Sequence, residues 1–212
     1  MNGNGIKFKL IYFEDRGKAD LIKLLFAYSN QSYEDVQIKP LEWNFYKSLM
    51  PFEQLPVLIV NDEIKIAQAI TIARYLANKL NLNGSNDTES ILCDMVVEQL
   101  RECGDYATQI MQEIDINKRN LMTQKFSNDI LTKTLNGFEK MLSVNSGKYI
   151  VGNKITWADL ALVNGLEWLD ELGKQILNYY PFVKMHNEYI RNIPQVNEWF
   201  RLQKPLRVFK KA

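Results

Sequence analysis

Residues 8–28 read FKLIYFEDRGKADLIKLLFAY, and this stretch decides the fold of the first half of the chain. Its opening run, Phe8 to Phe13, is apolar and aromatic, which is typical of a β-strand. The polar segment EDRG at residues 14–17 interrupts that run. Apolar residues then recur at helical spacing from Ala19 to Tyr28 and predict an amphipathic helix. The stretch therefore predicts a strand, a short connection and a helix.

The residues that follow continue this alternation of strand and helix signals. Tyr33 to Ile38 is predicted as a second, shorter strand, and an irregular stretch begins at Pro40. Pro56 to Val60 is a β-branched run that ends in the hairpin-type turn Asn61-Asp62, and residues 64–66 supply the partner strand. Ile70 to Leu80 is again helical. The order βαβ followed by ββα predicts a thioredoxin-like α/β domain.

A turn-rich segment divides the chain into two halves of different character. Residues 81–87 read NLNGSND, a composition typical of a linker. Beyond it the apolar residues keep helical spacing, and Thr156 with Asp159 forms a helix-capping signal before an apolar run. We therefore predict a thioredoxin-like domain over residues 1–80, a linker over 81–88 and an all-α helical bundle over 89–212.

The overall charge and hydropathy exclude several classes of partner. The formal net charge is +1, from 26 basic and 25 acidic residues, so no strong field would attract nucleic acid. No segment approaches the ~20 consecutive apolar residues that a membrane span needs. The first residues, MNGNG, lack the basic and apolar pattern of a secretory signal. We expect a cytoplasmic protein that has neither a nucleic-acid nor a membrane partner.

The cysteines and the histidine argue against a disulfide and against a metal site. Cys93 and Cys103 fall on one predicted helix, where ten residues correspond to about 15 Å of rise. A disulfide requires Cα atoms within about 7 Å, so the two thiols should be reduced. His186 is the only histidine, which excludes a histidine-rich metal site.

Six motifs follow one another in order along the chain. Four lie in the first part: YFEDRGKAD at 12–20, YEDV at 33–36, Glu42-Trp43 with Lys47, and PFEQLPVL at 51–58. The other two are AQAITIARYLA at 67–77 and VGNKITWAD at 151–159. Together they resemble cytosolic glutathione transferases of the sigma-like kind, a group related to the glutathione-dependent prostaglandin D synthases. The resemblance implies an enzyme that needs no metal or other cofactor and uses glutathione as its co-substrate.

The resemblance implies that Tyr12 and Lys18 are the catalytic residues. A free thiol has a pKa of about 8.5, so glutathione must be stabilised as the thiolate to react at neutral pH. By resemblance, the Tyr12 hydroxyl at the strand end donates a hydrogen bond to that sulfur. Lys18 occupies the position of an arginine that supports the tyrosine, so the charge is retained but the planar fork of donors is absent.

The remaining glutathione-binding residues are also implied by the resemblance: Trp43, Lys47, Gln54, Leu55, Pro56, Gln68 and Ala69. Trp43 and Lys47 would hold the glycine carboxylate, and Leu55, before an expected cis-Pro56, would pair with the cysteinyl backbone as an added strand does. Gln68 and Ala69 open a helix whose free N–H groups suit the γ-glutamyl carboxylate. Ala69 departs from the family, which usually has serine there.

A homodimer is implied as well, in which Glu102 of the partner subunit binds the glutathione amine. Some sigma-like members hold a divalent ion near this point, but here Arg101 separates Glu98 from Glu102, which argues against that metal site. Gln109, Ala161 and Gly165 stand where the prostaglandin-specialised relatives place large aromatics, and therefore predict a wider pocket for small hydrophobic electrophiles in the helical domain.

Two alternatives to a detoxifying transferase stay open. One is a glutathione-dependent isomerase such as a prostaglandin D synthase. The other is a non-enzymatic, crystallin-like member that retains the fold. Tyr12, Gln68, the pair Leu55-Pro56 and Trp43 together favour the enzyme. A glutaredoxin-like activity is disfavoured because no cysteine lies between Tyr12 and Arg16.

Overall fold

The computed structural model describes residues 5–170 and 176–204, so residues 1–4 of the first predicted domain and residues 171–175 and 205–212 of the second lie outside the described ranges. The described chain separates into two compact units. The first contains the chain up to Asn81 together with Gln195 and the residues that follow it as far as Lys204. The second begins at Leu82 and extends to Pro194. The division falls at residue 81, and the boundaries 1–80, 81–88 and 89–212 stay a prediction; the return of residues 195–204 to the first unit was not predicted.

The first unit has the predicted thioredoxin-like topology. Its elements are β1 (Phe8–Phe13), α1 (Asp20–Tyr28), β2 (Glu34–Ile38), the short helix α2 (Trp43–Tyr46), β3 (Val57–Val60), β4 (Ile64–Ala67) and α3 (Ala69–Lys79). The sheet order is β2-β1-β3-β4. Strand β1 is parallel to β2 and antiparallel to β3, and β3 is antiparallel to β4.

The sheet register aligns the ends of three strands. Ile11 lies opposite Val57, and Val57 lies opposite Ala67. The residue after Ile11, the residues before Val57 and the residues after Ala67 therefore meet at one end of the sheet. That end carries Tyr12, the Leu55-Pro56 pair and Gln68.

The core of the first unit forms because helices α1 and α3 each bury an apolar stripe. Leu24, Leu25 and Phe26 of α1 are almost completely buried, as are Ile72 and Leu76 of α3. Burying side chains of this size contributes about 1.5–3 kcal/mol each to folding. The alternation of strand and helix signals read from the sequence is therefore confirmed by the packing.

The second unit is helical, as predicted. It contains α4 (Asp87–Gln112), α5 (Ile116–Lys125), a π-helical turn (Phe126–Leu131), α6 (Thr132–Val144), α7 (Trp157–Asp170) and α8 (Pro181–Arg191). The last helix, α9 (Pro194–Leu202), lies almost entirely in the first unit. A π-helical turn separates α5 from α6, and buried Phe126 and Leu131 bound that turn.

The capping signal before α7 is confirmed. Asp159 accepts hydrogen bonds from the Thr156 backbone N–H at 2.7 Å and from the Thr156 hydroxyl at 2.9 Å. The Ile150 backbone N–H donates to the other carboxylate oxygen at 2.8 Å. These contacts satisfy donors that the start of a buried helix would otherwise leave unpaired. Within the described residues, no helix is both long and apolar enough to cross a membrane.

Candidate active site around Tyr12

The Tyr12 hydroxyl is held at the end of β1 by the main chain of the following loop. The Lys18 backbone N–H donates a hydrogen bond to the Tyr12 hydroxyl oxygen at 2.9 Å. Only 8% of Tyr12 is exposed, so the ring is fixed by packing. A phenolic hydroxyl has one proton and can also accept hydrogen bonds. Because the Lys18 N–H occupies an acceptor position, the hydroxyl proton remains available to a ligand.

The surroundings of Tyr12 keep its hydroxyl protonated. Burial raises the pKa of Tyr12 above its ordinary value, and the hydrogen bond from Lys18 lowers it by less. The negative charges of Asp20 and Asp15 add to the upward shift of the pKa. The group is therefore neutral at pH 7 and suited to donate a hydrogen bond to an anion rather than to act as a base.

The loop between β1 and α1 has a conformation that requires glycine at position 17. Gly17 has a φ of +150°, and an added Cβ would lie 2.7 Å from the Tyr12 hydroxyl oxygen. Asp20, the first residue of α1, accepts a hydrogen bond from the Gly17 N–H at 2.9 Å. Its other oxygen accepts one from Arg16 Nε at 3.0 Å. The Asp20 carboxylate thus holds the loop in place against Tyr12.

The side chain of Lys18 lies in solvent, and the contact with Tyr12 comes from its backbone. Our sequence analysis assigned a supporting role to the Lys18 ammonium, and that role stays a prediction. Arg16 and Asp20, by contrast, were not singled out from the sequence. Their spacing of four residues across the start of a helix was the available signal, since it suits an ion pair.

The second part of the sheet end contains the predicted proline and glutamine. The Leu55-Pro56 peptide bond is cis, as the resemblance implied. Among the described residues, none makes a hydrogen bond with the Leu55 backbone N–H or C=O. Both groups are therefore available to an extended peptide. Gln54 and Gln68 approach each other, since the Gln68 amide donates to the Gln54 side-chain oxygen at 3.2 Å.

Gln68 precedes α3 with an unusual backbone conformation. Its φ of +72° lies in a region that residues other than glycine rarely adopt. Such conformations concentrate at functional sites, where the surrounding structure holds them in place. Ala69 begins α3, so the first N–H groups of an 11-residue helix open next to Gln68. An anion at this point would meet unpaired donors and the positive end of the helix dipole.

Trp43 and Lys47 lie on the segment between β2 and β3. The Trp43 ring packs edge-on against Phe13, with ring centroids 5.6 Å apart. Trp43 also packs against a buried cluster that includes Ile11 and Val57. Lys47 is exposed, and its ammonium lies 3.4 Å from the Glu53 carboxylate. The indole is therefore anchored to the same strand that carries Tyr12, and Lys47 can exchange a surface ion pair for another anion.

The other predicted site residues lie in the second unit. Glu102 is exposed on α4 and accepts a hydrogen bond from Gln99 at 3.2 Å. Arg101 pairs with Glu98 at 2.6 Å and with Asp105 at 2.7 Å. No cluster of three or more histidine, cysteine or carboxylate side chains able to hold a metal occurs in the described part of the chain. Gln109 is exposed, Ala161 is buried and Gly165 is half-buried.

The fold and the site place the chain in the class of two-domain proteins in which a thioredoxin-like unit precedes a helical unit. Residues 8–78 match the family model described as the glutathione S-transferase N-terminal domain, and residues 104–203 match the C-terminal domain. A glutathione S-transferase of Plasmodium falciparum is 35% identical, and the match covers 94% of this chain and 98% of the relative. The chain belongs to the glutathione S-transferase family, and glutathione is its co-substrate.

Two further similarities indicate the range of relatives. The hematopoietic prostaglandin D synthase of Rattus norvegicus is 30% identical, over 93% of this chain and 96% of that protein. The solved structure of a Nu-class transferase from Haemonchus contortus superposes with a TM-score of 0.86 at 29% identity. That superposition covers 97% of this chain and all of the other.

Proposed function

We propose that this transferase activates glutathione through Tyr12 and conjugates the thiolate to small hydrophobic electrophiles. The observation that carries the proposal is the Tyr12 hydroxyl, which is buried, protonated and engaged as an acceptor by the Lys18 N–H at 2.9 Å. A charge-assisted hydrogen bond from this hydroxyl to sulfur is worth about 1.5–3 kcal/mol. That energy lowers the pKa of the thiol by about one to two units, since one unit corresponds to about 1.36 kcal/mol.

In the proposed reaction the thiol of bound glutathione first loses its proton to solvent. The thiolate, held by the Tyr12 hydroxyl, then attacks the electrophilic carbon, where an S–C bond forms and the leaving group departs with its electron pair. The Tyr12 proton stays on the phenolic oxygen throughout, which agrees with the raised pKa of this group. The Lys18 ammonium is proposed to add a favourable charge near the sulfur.

The glutathione backbone is proposed to lie along the aligned strand ends. Leu55, with its available N–H and C=O beside Pro56, pairs with the cysteinyl unit as an added strand would. Gln54, Gln68 and the N–H of Ala69 bind the γ-glutamyl end at the start of α3. Trp43 and Lys47 bind the glycine carboxylate through an indole N–H and an ammonium.

We further propose a sigma-like, cytoplasmic homodimer in which Glu102 of the partner subunit binds the glutathione amine. Support comes from exposed apolar side chains, which are unfavourable in water unless a partner covers them. On the segment before β3, Leu41 and Phe45 are 94% and 79% exposed. On α4, Ile91 and Met95 are 67% and 51% exposed, one helical turn apart and on the side of the helix that leads to Glu102.

The helical domain is proposed to form the electrophile pocket. The small residues Ala161 and Gly165 favour a wide pocket that accepts varied electrophiles. A prostaglandin D synthase activity is the alternative, and the 30% identity to the rat enzyme is the observation that favours it.

Ultraviolet titration with glutathione tests the proposal directly. Thiolate absorbance at pH 6.5 to 7, saturating with glutathione, is the expected result, followed by activity towards an aryl halide. Isomerisation of a prostaglandin endoperoxide in the absence of conjugation would favour the alternative. Absence of thiolate absorbance at millimolar glutathione would exclude the enzyme and leave a crystallin-like role.

A further inference from the structure

Trp199 and Lys204, in and just after α9, contact the loop that follows Tyr12. The Arg16 guanidinium lies over the Trp199 ring of α9, with its central carbon 5.4 Å from the ring centroid. Two residues beyond the end of α9, the Lys204 ammonium donates to the Glu14 carbonyl at 2.9 Å. Arg16 in turn donates to the Lys204 carbonyl at 3.5 Å. All of these residues belong to the first unit, so residues 195–204 are an integral part of the domain that carries Tyr12.

Arg16 links residues 199–204 to the start of α1. The Arg16 and Asp20 side chains are only 7% and 4% exposed, and they form an ion pair at 3.0 Å. The same Asp20 carboxylate accepts the Gly17 N–H at 2.9 Å. A buried carboxylate with a cation on one oxygen and a backbone donor on the other has a fixed orientation. The position of Gly17 therefore depends on where Arg16 holds Asp20.

The last link is the peptide between Gly17 and Lys18. Because the Gly17 N–H is held by Asp20, the next N–H along the chain, that of Lys18, points at the Tyr12 hydroxyl oxygen at 2.9 Å. A series of contacts thus runs from Trp199 through Arg16, Asp20 and Gly17 to Tyr12. Each member is fixed by a hydrogen bond, an ion pair or a ring contact.

We propose that Arg16, Asp20 and Trp199 are positioning residues that fix the Tyr12 hydroxyl for donation to the glutathione sulfur. This inference rests on the proposed role of Tyr12. The Lys18 N–H occupies an acceptor position of the hydroxyl oxygen and so directs its proton away from the loop. If the loop loosens, the hydroxyl can turn its proton to water or to a backbone acceptor, and the thiolate loses its donor.

The test replaces Trp199 and follows the bound thiol. Trp199→Leu removes the aromatic face beneath Arg16, whereas Trp199→Phe keeps one and serves as the matched variant. In Trp199→Leu the pKa of enzyme-bound glutathione, measured by thiolate absorbance, should rise by about half a unit to one unit. Turnover at pH 6.5 should fall about 3- to 10-fold, while the Michaelis constant for glutathione changes little. Trp199→Phe should recover most of the turnover.

The same substitution made in the Tyr12→Phe enzyme distinguishes a positioning role of Trp199 from general destabilisation of the fold. If Trp199 acts through the Tyr12 hydroxyl, Trp199→Leu should change turnover less than about twofold when it is introduced into Tyr12→Phe, because interacting sites are non-additive. Equal losses in both backgrounds would overturn the proposal. So would an unchanged thiol pKa in Trp199→Leu. Arg16→Lys, which keeps the positive charge but loses the planar guanidinium over Trp199, repeats the measurement should the tryptophan variant fail to fold, and an unchanged thiol pKa there is equally contrary.

The same titration distinguishes failure of this inference from failure of the proposed function. Thiolate absorbance in the wild-type complex establishes that glutathione is activated, whatever the variants do. If the wild-type complex shows that absorbance and Tyr12→Phe abolishes it, the variants at Trp199 report on positioning alone. If wild type shows none, the proposed activation by Tyr12 is itself wrong.

Discussion

Gly17 and Tyr12 approach so closely that a methyl group on Gly17 would lie 2.7 Å from the tyrosine hydroxyl oxygen. Non-bonded carbon and oxygen atoms do not approach so closely, so the loop or the tyrosine would have to move. Gly17 also has a φ of +150°, which is unfavourable for any residue with a Cβ. The two constraints together make the loop sensitive to a single added carbon.

Gly17→Ala is therefore expected to displace the Tyr12 hydroxyl and to reduce kcat by at least about 10-fold, as loss of one hydrogen bond to the thiolate does. Unfolding in urea should show a loss of about 1–3 kcal/mol, because the backbone conformation is strained with alanine. Gly104→Ala is the matched control, since a Cβ at that helical position meets nothing within 4 Å. The control should be more stable by about 0.5–1 kcal/mol and fully active. Full activity in Gly17→Ala would contradict the described loop.

Tyr12→Phe should leave the affinity for glutathione nearly unchanged and lower turnover about 10- to 100-fold, because one charge-assisted hydrogen bond to the sulfur is lost. Steady-state kinetics at saturating glutathione gives the measurement. Tyr33→Phe removes a hydroxyl from a tyrosine whose ring stacks on Phe26, with centroids 4.2 Å apart, and should have wild-type turnover. If turnover survives in Tyr12→Phe, another donor activates the thiol.

Ala69→Ser should strengthen glutathione binding. A serine hydroxyl at the start of α3 adds a donor to an ionised carboxylate, and at an exposed cleft this is expected to tighten binding about 3- to 30-fold. The carboxylate is bound alike in the ground and transition states, so the Michaelis constant should fall while turnover hardly changes. Calorimetry checks the affinity. If neither protein binds glutathione at millimolar concentration, Ala69 marks a member that has abandoned this ligand.

Glu102 should act across a dimer. Sedimentation is expected to give a dimer at micromolar concentration, and a monomer would exclude this arrangement. Tyr12→Phe and Glu102→Ala, each weakly active alone at low glutathione, should complement each other when they are unfolded, mixed and refolded together. Half of the dimers are then mixed and have one intact site, so about a quarter of wild-type activity should return. Absence of complementation would place Glu102 in the same subunit's site or outside it.

His186 and Asp159 should change the free energy of unfolding with pH in opposite directions. The His186 Nδ1 lies 3.1 Å from the Lys148 carbonyl oxygen and so donates to it, which leaves Nε2 facing Asp159 at 3.6 Å. Burial lowers the pKa of His186 from 6.5 to about 4. Burial raises the pKa of Asp159 from 3.8 to about 6. Between these two values, at pH 4 to 6, the proton of the folded pair is on Asp159. In the unfolded chain at the same pH the proton is on the histidine.

The stability contributed by the neutral histidine is present above pH 6.5 and is lost as the pH falls towards 4. The stability contributed by the protonated aspartic acid is present below pH 3.8 and is lost as the pH rises through 6. The two trends, each about 3 kcal/mol, nearly cancel. Relative to wild type, His186→Gln should gain stability as the pH falls from 6.5 to 4.5, and Asp159→Asn should lose it. Urea unfolding over this range gives the comparison, and parallel slopes in the two variants would contradict the assignment.

Local sequence patterns determined the elements of the fold and several members of the site. The apolar runs and turn residues of the first 80 positions predicted the strands and helices in their observed order, because side-chain periodicity reflects which face each element buries. The motif at residues 51–58 pointed to the cis bond before Pro56. Thr156 and Asp159 marked the start of α7, since a capping contact spans only three residues.

Tertiary structure alone decided how Tyr12 is held. The group that meets its hydroxyl is the Lys18 N–H, and no side-chain pattern encodes the direction of a backbone donor. The contact of Arg16 with Trp199 joins residues 183 positions apart, and their proximity depends on how α9 packs within the first unit. Periodicity reports the neighbours of a residue along its own helix or strand, whereas contacts of this range are set by how the completed elements pack.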